Sequence, residues 1–543
     1  MTLIPNRSKL STPLRWTFAC RLFLIAASLC PAGVFAETSG PESKTAPDRE
    51  ERWYVVMMQD PRTEQYQQCG YMHTSIRRED DEVRTQMKMK IGIRRGDVSI
   101  EIVQDQNYRE TPDGKPLSFQ FVSSLGKDPE TLKGEIKDGR IHLIAEQYGQ
   151  VKERLAYDFD PDIRFPWGQS LLQKSKGLKP DTSYVIKSYE PAYRKDGPLE
   201  VQCRVIGRSR QDVLGEKRDL TQVASVMNLG GLAVAGAPAG AVPANMAVES
   251  DTWVDDDFTP VLMTMNVGFM KMKMHETTRE DAMKRGAPPE MFFETFVPTQ
   301  REVGRGAKKV VLRFRLKDGA PGPLPEPPAT PMQSCKRIND REMEITIRRN
   351  DWDAARKAAK PDSIDELLRP FLAPSHVCDA ADSRIRRLAK RASRGASTPA
   401  EIAAALREKV TEYITNKNMD VGFATASDVA RNRSGDCTEH AVLLAAMCRA
   451  AGLPARGVSG IIEVPSGYIH DKKGSAFGYH MWTQVYIGGK WIDIDAAMRQ
   501  TDCEPNRVAL TIMPLGDEGL ANAVASLMPV LGRIEIEVMS VEK

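Results

Sequence analysis

At 543 residues the chain is too long for one ordinary core, and at roughly 100 to 200 residues per domain it should divide into two or three units. Its 76 basic and 73 acidic residues give a formal net charge of +3. So even a balance carries no electrostatic footprint for a nucleic-acid partner.

The N-terminus sets Arg7, Lys9, Arg15 and Arg21 before the apolar run LFLIAASLC and the small-residue ending GVFA. This is the pattern of a secretory signal peptide, residues 1–36, cut after Ala36. Leu29 stands before Cys30 where a lipid-anchored cysteine would want a small residue. The expectation is therefore export through a cleavable signal peptide to a periplasmic or extracellular location, with no stable membrane span. Cleavage removes four basic residues and no acidic ones, and leaves seven cysteines: Cys69, Cys203, Cys335, Cys378, Cys437, Cys448 and Cys503. An odd number in an oxidising compartment leaves at least one thiol unpaired within the chain.

From residue 53 to 317 two-residue alternation dominates. In TQMKMKIGIRRGDVSIEIV, Met87, Met89, Ile91 and Ile93 share one face, the chain turns at Gly96-Asp97, and Val98, Ile100 and Ile102 resume the pattern. Asp-Gly turns recur at PDGK 112–115 and KDGR 137–140. These are hairpin signals, and they predict a mainly antiparallel β domain, curved if the sheet is large. The Met-x-Met spacing suits Cu(I), but alternation buries those sulfurs on one face as core filler, so no metal is expected. The uncharged stretch inside this region is rich in Ala and Gly and carries Pro238 and Pro243. It reads as a loop, 225–247, because proline breaks a spanning helix.

The proline-rich DGAPGPLPEPPATP marks an expected linker, residues 318–334. Beyond it, residues 335–543 are expected to form a compact α+β domain. STPAEIAAALREKVTEYI opens with Thr398, Pro399 and Glu401 in capping-box order and keeps Ile402, Leu406, Val410 and Tyr413 on one stripe. The basic run RIRRLAKRASR, 384–394, is expected to be a solvated helix face.

The chemistry concentrates in SGDCTEHAVLLAAMCRAAGLP. A helix starting at Asp436 or Cys437 puts Cys437 in its first turn, where unpaired N–H groups and the helix dipole stabilise a thiolate. Cys448, deep in the same helix, is expected to be an inert core thiol. In YHMWTQVYIGGKWIDIDAAM two strands meet at Gly488-Gly489. A two-residue turn there sets Trp482 opposite Asp495 and makes Asp495 the diagonal neighbour of His480, at roughly 7 to 8 Å. Asp493 falls opposite Gln484, farther from His480. A thiol at a helix start, a histidine on a strand and a carboxylate on the next strand are the parts of cysteine nucleophilic catalysis. Zinc held by Cys437, His440, His480 and Asp495 is a rival reading of the same residues, and His440 on its own reads as a site-wall or structural residue. His470 lies in a glycine-flanked loop.

GDCTEHAVLLAAMCRAAGLPARGVSG followed by YHMWTQVYIGGKWIDIDAAM resembles the transglutaminase-like superfamily, over residues of about 375–500. The resemblance implies a papain-like fold with Cys437 as nucleophile, His480 as base and Asp495 as the third member. DAAM stands where the family often has Asp-Pro-Thr, and the aspartate itself is kept. The expected activity is thiol chemistry on amide bonds of a protein or peptide substrate through a thioester, with no cofactor. Peptidase or amidase hydrolysis is placed ahead of glutamine acyl transfer, and a catalytically inactive binding module is the alternative. Trp482, Tyr486 and Trp491 share the parity of His480 and are expected to wall the acyl site.

Overall fold

The computed structural model describes residues 49–543 apart from 61–62, 96–97, 126–127, 148–149, 191–195, 229–246, 268–269, 285, 291–295, 321, 360–364, 418–423, 465–474, 517–529 and 531. The expected signal peptide, the Gly96-Asp97 turn, His470 and residues 229–246 of the expected 225–247 loop lie outside the described residues; 225–228 and 247, expected as loop, are the ends of the strands Glu216–Asn228 and Ala247–Val254. No helix of the described residues is long and apolar enough to cross a membrane.

Among the described residues, fourteen antiparallel strands between Arg49 and Thr277 form one sheet. Its edges are the strands Gln150–Asp158 and Ser183–Ser188. The first strand, Arg49–Gln59, sits inside the sheet between Tyr66–Arg78 and Met270–Thr277. Local signals set the hairpins: Asp138 and Gly139 both take positive φ, as do Leu214 and Gly215, the backbone of two-residue turns that match strand twist. One face is mostly apolar and closes on a large core, with Gln104 and Gln106 among the polar residues buried on it. Methionines meet in rows across it, Met58 against Met272 and Met272 against Met265, so the Met-x-Met pattern fills the core. The sheet curls back on itself. Phe119, on the fifth strand, packs 5.7 Å from Tyr189, just past the edge strand Ser183–Ser188.

Residues 309–316 depart from the expected division. Lys309–Leu316, before the proline-rich stretch, is one of two inner strands of a second sheet, between Glu342–Arg348 and Ile534–Glu542, with Gln333–Asn339 at the edge beyond Glu342–Arg348. Its buried Val310, Leu312, Phe314 and Leu316 match Met343, Ile345 and Ile347 on one side and Ile534, Ile536 and Val538 on the other. The 318–334 segment therefore connects strands of one sheet. It is tied to that sheet by the N–H of Leu324 donating to Asp340 (2.7 Å).

A third sheet carries the C-terminal chemistry. Its order is Val297–Thr299, Ser475–Ile487, Ala455–Val464 and Arg507–Met513, with Lys490–Ile494 also paired to Ser475–Ile487. Gln333 docks on the strand Arg507–Met513: its amide donates to the Ala509 carbonyl (2.9 Å) and accepts from the Ala509 N–H (2.8 Å). The helices Ser383–Ala392, Pro399–Tyr413, Ala426–Asn432 and Cys437–Ala450 share a core with Met481, Val485, Ile492 and Ile494. Thr398 and Glu401 form the expected capping box. Ile385 and Ala389 are buried while the arginines and lysine between and beside them are exposed, because the stripe of a short amphipathic helix needs only one side.

Candidate active site

Cys437 is the first residue of its helix and is half-buried. The helix start is fixed from both sides. Asp436 accepts from the Thr438 N–H (2.9 Å), and Glu439 reaches back to the Asp436 N–H (2.9 Å) and across to the Ala424 N–H (3.0 Å). Glu439 is fully buried, and burial together with the Asp436 charge pushes its carboxyl up to about 8. Gly435 has φ +145, and an added Cβ would lie 2.3 Å from Cβ and Cγ of Glu439. Only glycine allows the chain to enter the helix this close to the capping glutamate.

The helix rests on the His480 strand, where the Thr483 hydroxyl donates to the Ala441 carbonyl, one turn past Cys437 (2.9 Å). Alternation turns His480, Trp482 and Gln484 to the other side of that strand from Met481, Thr483 and Val485. Gly488 and Gly489 both take positive φ, and the ladder runs Ile487 to Lys490 and Gln484 to Asp493, the register the two-residue turn dictates. Asp495 follows directly and contacts His480, Oδ2 to Nε2, at 2.7 Å. Asp493 instead accepts from the Gln484 amide at 2.8 Å.

Asp495 is held by more than the histidine. The same Oδ2 accepts from Arg507 Nη1 at 2.8 Å, and Oδ1 accepts from the Met498 N–H at 3.0 Å. His480, Asp495 and Arg507 are each no more than 2% exposed. Burial raises the Asp495 carboxyl, but His480, Arg507 and the Met498 N–H outweigh it and hold the group well below the ordinary carboxylate range. Arg507 also donates to Gln500 and lies 5.5 Å over the Trp482 ring. The sequence reading missed Arg507. The only sign of it is a cation at the head of the apolar run VALTIM, and nothing in its spacing points to Asp495.

The three aromatic residues separate. Trp482 is buried, at 1% exposure, between Val458 and Ala509 and stacks on His480 at 6.0 Å between ring centroids. It supports the imidazole and has no exposed face to offer a substrate. Gly460 makes room for it, since an added Cβ would lie 2.9 Å from the indole. Tyr486 and Trp491 pack on each other at 5.3 Å, with Arg456 3.9 Å over the Trp491 ring and Phe371 5.0 Å away. Tyr486 is six residues along the strand from His480, about 20 Å at strand rise. Shared parity put them on one face, but strand length carried them out of reach.

His440 turns back into its own helix, with Nδ1 2.6 Å from the Asp436 carbonyl. Nδ1 must carry the proton to make that contact, and burial lowers the pKa of the ring. Among the described residues, no group of three or more His, Cys, Asp or Glu is gathered to hold a metal ion. All seven cysteines after residue 36 are free thiols. Burial pushes Cys69 up to about 12 and Cys335 and Cys378 to about 11, and raises Cys203, Cys448 and Cys503 as well.

Residues 386–496 match the family model of the transglutaminase-like superfamily. The fourteen-stranded sheet lies outside the match. Among solved structures, the chain is similar to a protein from Cytophaga hutchinsonii provisionally named a cysteine protease, at 17% identity and a TM-score of 0.30, covering 44% of this chain and 93% of that one. It is also similar to a beta-barrel-like protein of a domain of unknown function from Brucella abortus, at 14% identity and a TM-score of 0.31, covering 42% and 95%. A third, provisionally named a protease, from Parabacteroides distasonis ATCC 8503, has 12% identity and a TM-score of 0.18, covering 68% and 64%. No curated protein matches the chain.

Proposed function

We propose that the chain is an exported thiol enzyme that acts on amide bonds, with Cys437 as nucleophile, His480 as proton carrier and Asp495 as the group that orients the imidazole. The observation that carries this reading is the buried 2.7 Å His480–Asp495 contact, on the strand that supports the helix begun by Cys437, inside the transglutaminase-like segment. A helix N-terminus favours a thiolate. In the proposed reaction the sulfur attacks the amide carbonyl and forms a C–S bond, and the Cys437 N–H is a natural donor to the oxyanion. The C–N bond then breaks as the imidazolium protonates the leaving nitrogen, and water, losing its proton to the imidazole, releases the acid and restores the thiol. Asp495 fixes the tautomer in which the second imidazole nitrogen takes that proton.

Hydrolysis of peptide or side-chain amides is placed ahead of transfer to a second amine, and the same intermediate serves both. The test uses the purified chain and its Cys437→Ala variant on a glutamine peptide, with and without a primary amine. Ammonia alone means deamidation, amine incorporation means crosslinking, and new peptide termini mean proteolysis. Identical behaviour of the two proteins in all three assays, with Cys437 inert to alkylation, leaves only the binding-module reading. Export is tested by sequencing the N-terminus of the secreted protein, which should begin at Glu37.

A further inference from the structure

The fourteen-stranded sheet carries an arrangement that the thiol chemistry does not use. Arg49 pairs with Arg77, Arg77 with Arg84 and Arg84 with Arg109, so four arginines stand in one row across four adjacent strands. Their neighbours on the opposite face, Ile76, Val83 and Tyr108, are buried, which puts the row on the outer, solvated face. Strands lie about 4.8 Å apart, and like charges directly opposite each other destabilise a sheet. Carboxylates relieve three of the four. Glu51 lies 2.7 Å from Arg49, Glu82 bridges Arg84 and Arg109, and Glu79 adds a 3.4 Å contact to Arg84. Arg77, between Arg49 and Arg84, has no acid within ion-pair distance among the described residues.

A groove of about 320 Å³ opens along this row and is lined by all four arginines. Its other side is the next row of the same face, where Ser75, Gln86 and Asn107 pair across the strands. The groove has more room than one oxyanion needs; on its far side the Gln86 and Asn107 amides both donate to Asp105, so the arginine row is its donor side.

We infer that this groove is a binding site for a phosphate-bearing ligand, with Arg77 at its centre. A guanidinium presents two parallel N–H donors that fit phosphate oxygens, and a doubly charged phosphate can engage Arg77 and a flanking arginine together. A single carboxylate satisfies only one such fork. The Arg49–Glu51 pair is exposed at both ends, with side chains at 51% and 38%, and a pair of that kind contributes little. Arg49 can turn toward a dianion at little cost, while Arg84 and Arg109 stay anchored on the buried Glu82. The ligand can be a soluble phosphomonoester or the headgroup of phosphatidic acid, since both end in a phosphomonoester that can carry two charges.

The test is calorimetric titration of the full chain with inorganic phosphate, with glycerol phosphate, and with phosphatidic-acid-containing vesicles, at low ionic strength. Wild type should bind at least one probe, with affinity falling as salt rises. Arg77→Gln should weaken that binding about tenfold or more, Arg77→Lys should fall between, and Arg204→Gln, an exposed arginine on a distant strand, should match wild type. Binding of the soluble probes identifies a small ligand, and binding of vesicles alone identifies a lipid headgroup. The proposal is overturned if no probe binds, if Arg77→Gln binds as wild type does, or if a glutamate-rich peptide binds better than every phosphate probe. Removing one of four opposed charges should leave the melting temperature without ligand unchanged or higher. A clear fall would make Arg77 a structural residue and also overturn the site.

Discussion

Asp495→Asn tests the centre of the candidate site, because one carboxylate oxygen serves two cations. In the wild type Oδ2 accepts from His480 at 2.7 Å and Arg507 at 2.8 Å. An asparagine of the same shape keeps one oxygen for the Met498 N–H and turns an NH2 group toward both donors. Two charge-assisted hydrogen bonds are lost, and Arg507 is left buried without its partner. The expected cost is about 3 to 5 kcal/mol, read as the shift in urea unfolding of the C-terminal part at neutral pH. The pH dependence has a definite sign. The folded pKa of Asp495 is depressed, so its stabilisation is fully present above the unfolded value of about 3.9 and is lost as pH falls through the lower folded value. The gap between wild type and variant should therefore stay constant down to about pH 4 and close in stronger acid. Amide hydrolysis should fall by about 100-fold or more, because the imidazole loses the group that fixes its tautomer. A variant within about 1 kcal/mol of wild type, with unchanged acid sensitivity and full activity, would refute the account of a shared carboxylate.

Gly435→Ala should lose about 1 to 3 kcal/mol, from a strained φ and a collision with Glu439, and should slow alkylation of Cys437 by iodoacetamide. Glu439 has a folded pKa raised to about 8. Its contribution to stability therefore falls as pH rises from the unfolded value of about 4.3 to about 8, and Glu439→Gln should flatten the pH profile of urea midpoints across that window. Gln333→Ala removes both hydrogen bonds to Ala509 and should cost about 1 to 3 kcal/mol by thermal melting. Tyr486→Ala should leave kcat/KM on a small amide substrate near wild type, since the residue packs on Trp491 far along the strand; a large fall in turnover would restore it to the acyl site.

Much of the site's framework was legible because its signals are short-range. Alternation in TQMKMKIGI named the buried face of its strand. The turn Gly488-Gly489 alone decided that Asp495 and not Asp493 would meet His480, since register propagates from a two-residue turn without help from the rest of the protein. The Thr398 capping box and the helix start at Cys437 were local in the same way.

What the sequence by itself determined is therefore what lies within one turn, hairpin or helix end: the strand faces, the His480–Asp495 register, and a cysteine at the first position of a helix. Tertiary structure decided the rest. It brought Arg507 onto the Asp495 carboxylate, buried Trp482, moved Lys309–Leu316 across the expected boundary into a sheet with Ile534–Glu542, and aligned four arginines from four strands. Those partners are chosen by how apolar faces close on one another, and the burial that selects them acts on area without regard to separation along the chain. No short window of sequence could name them.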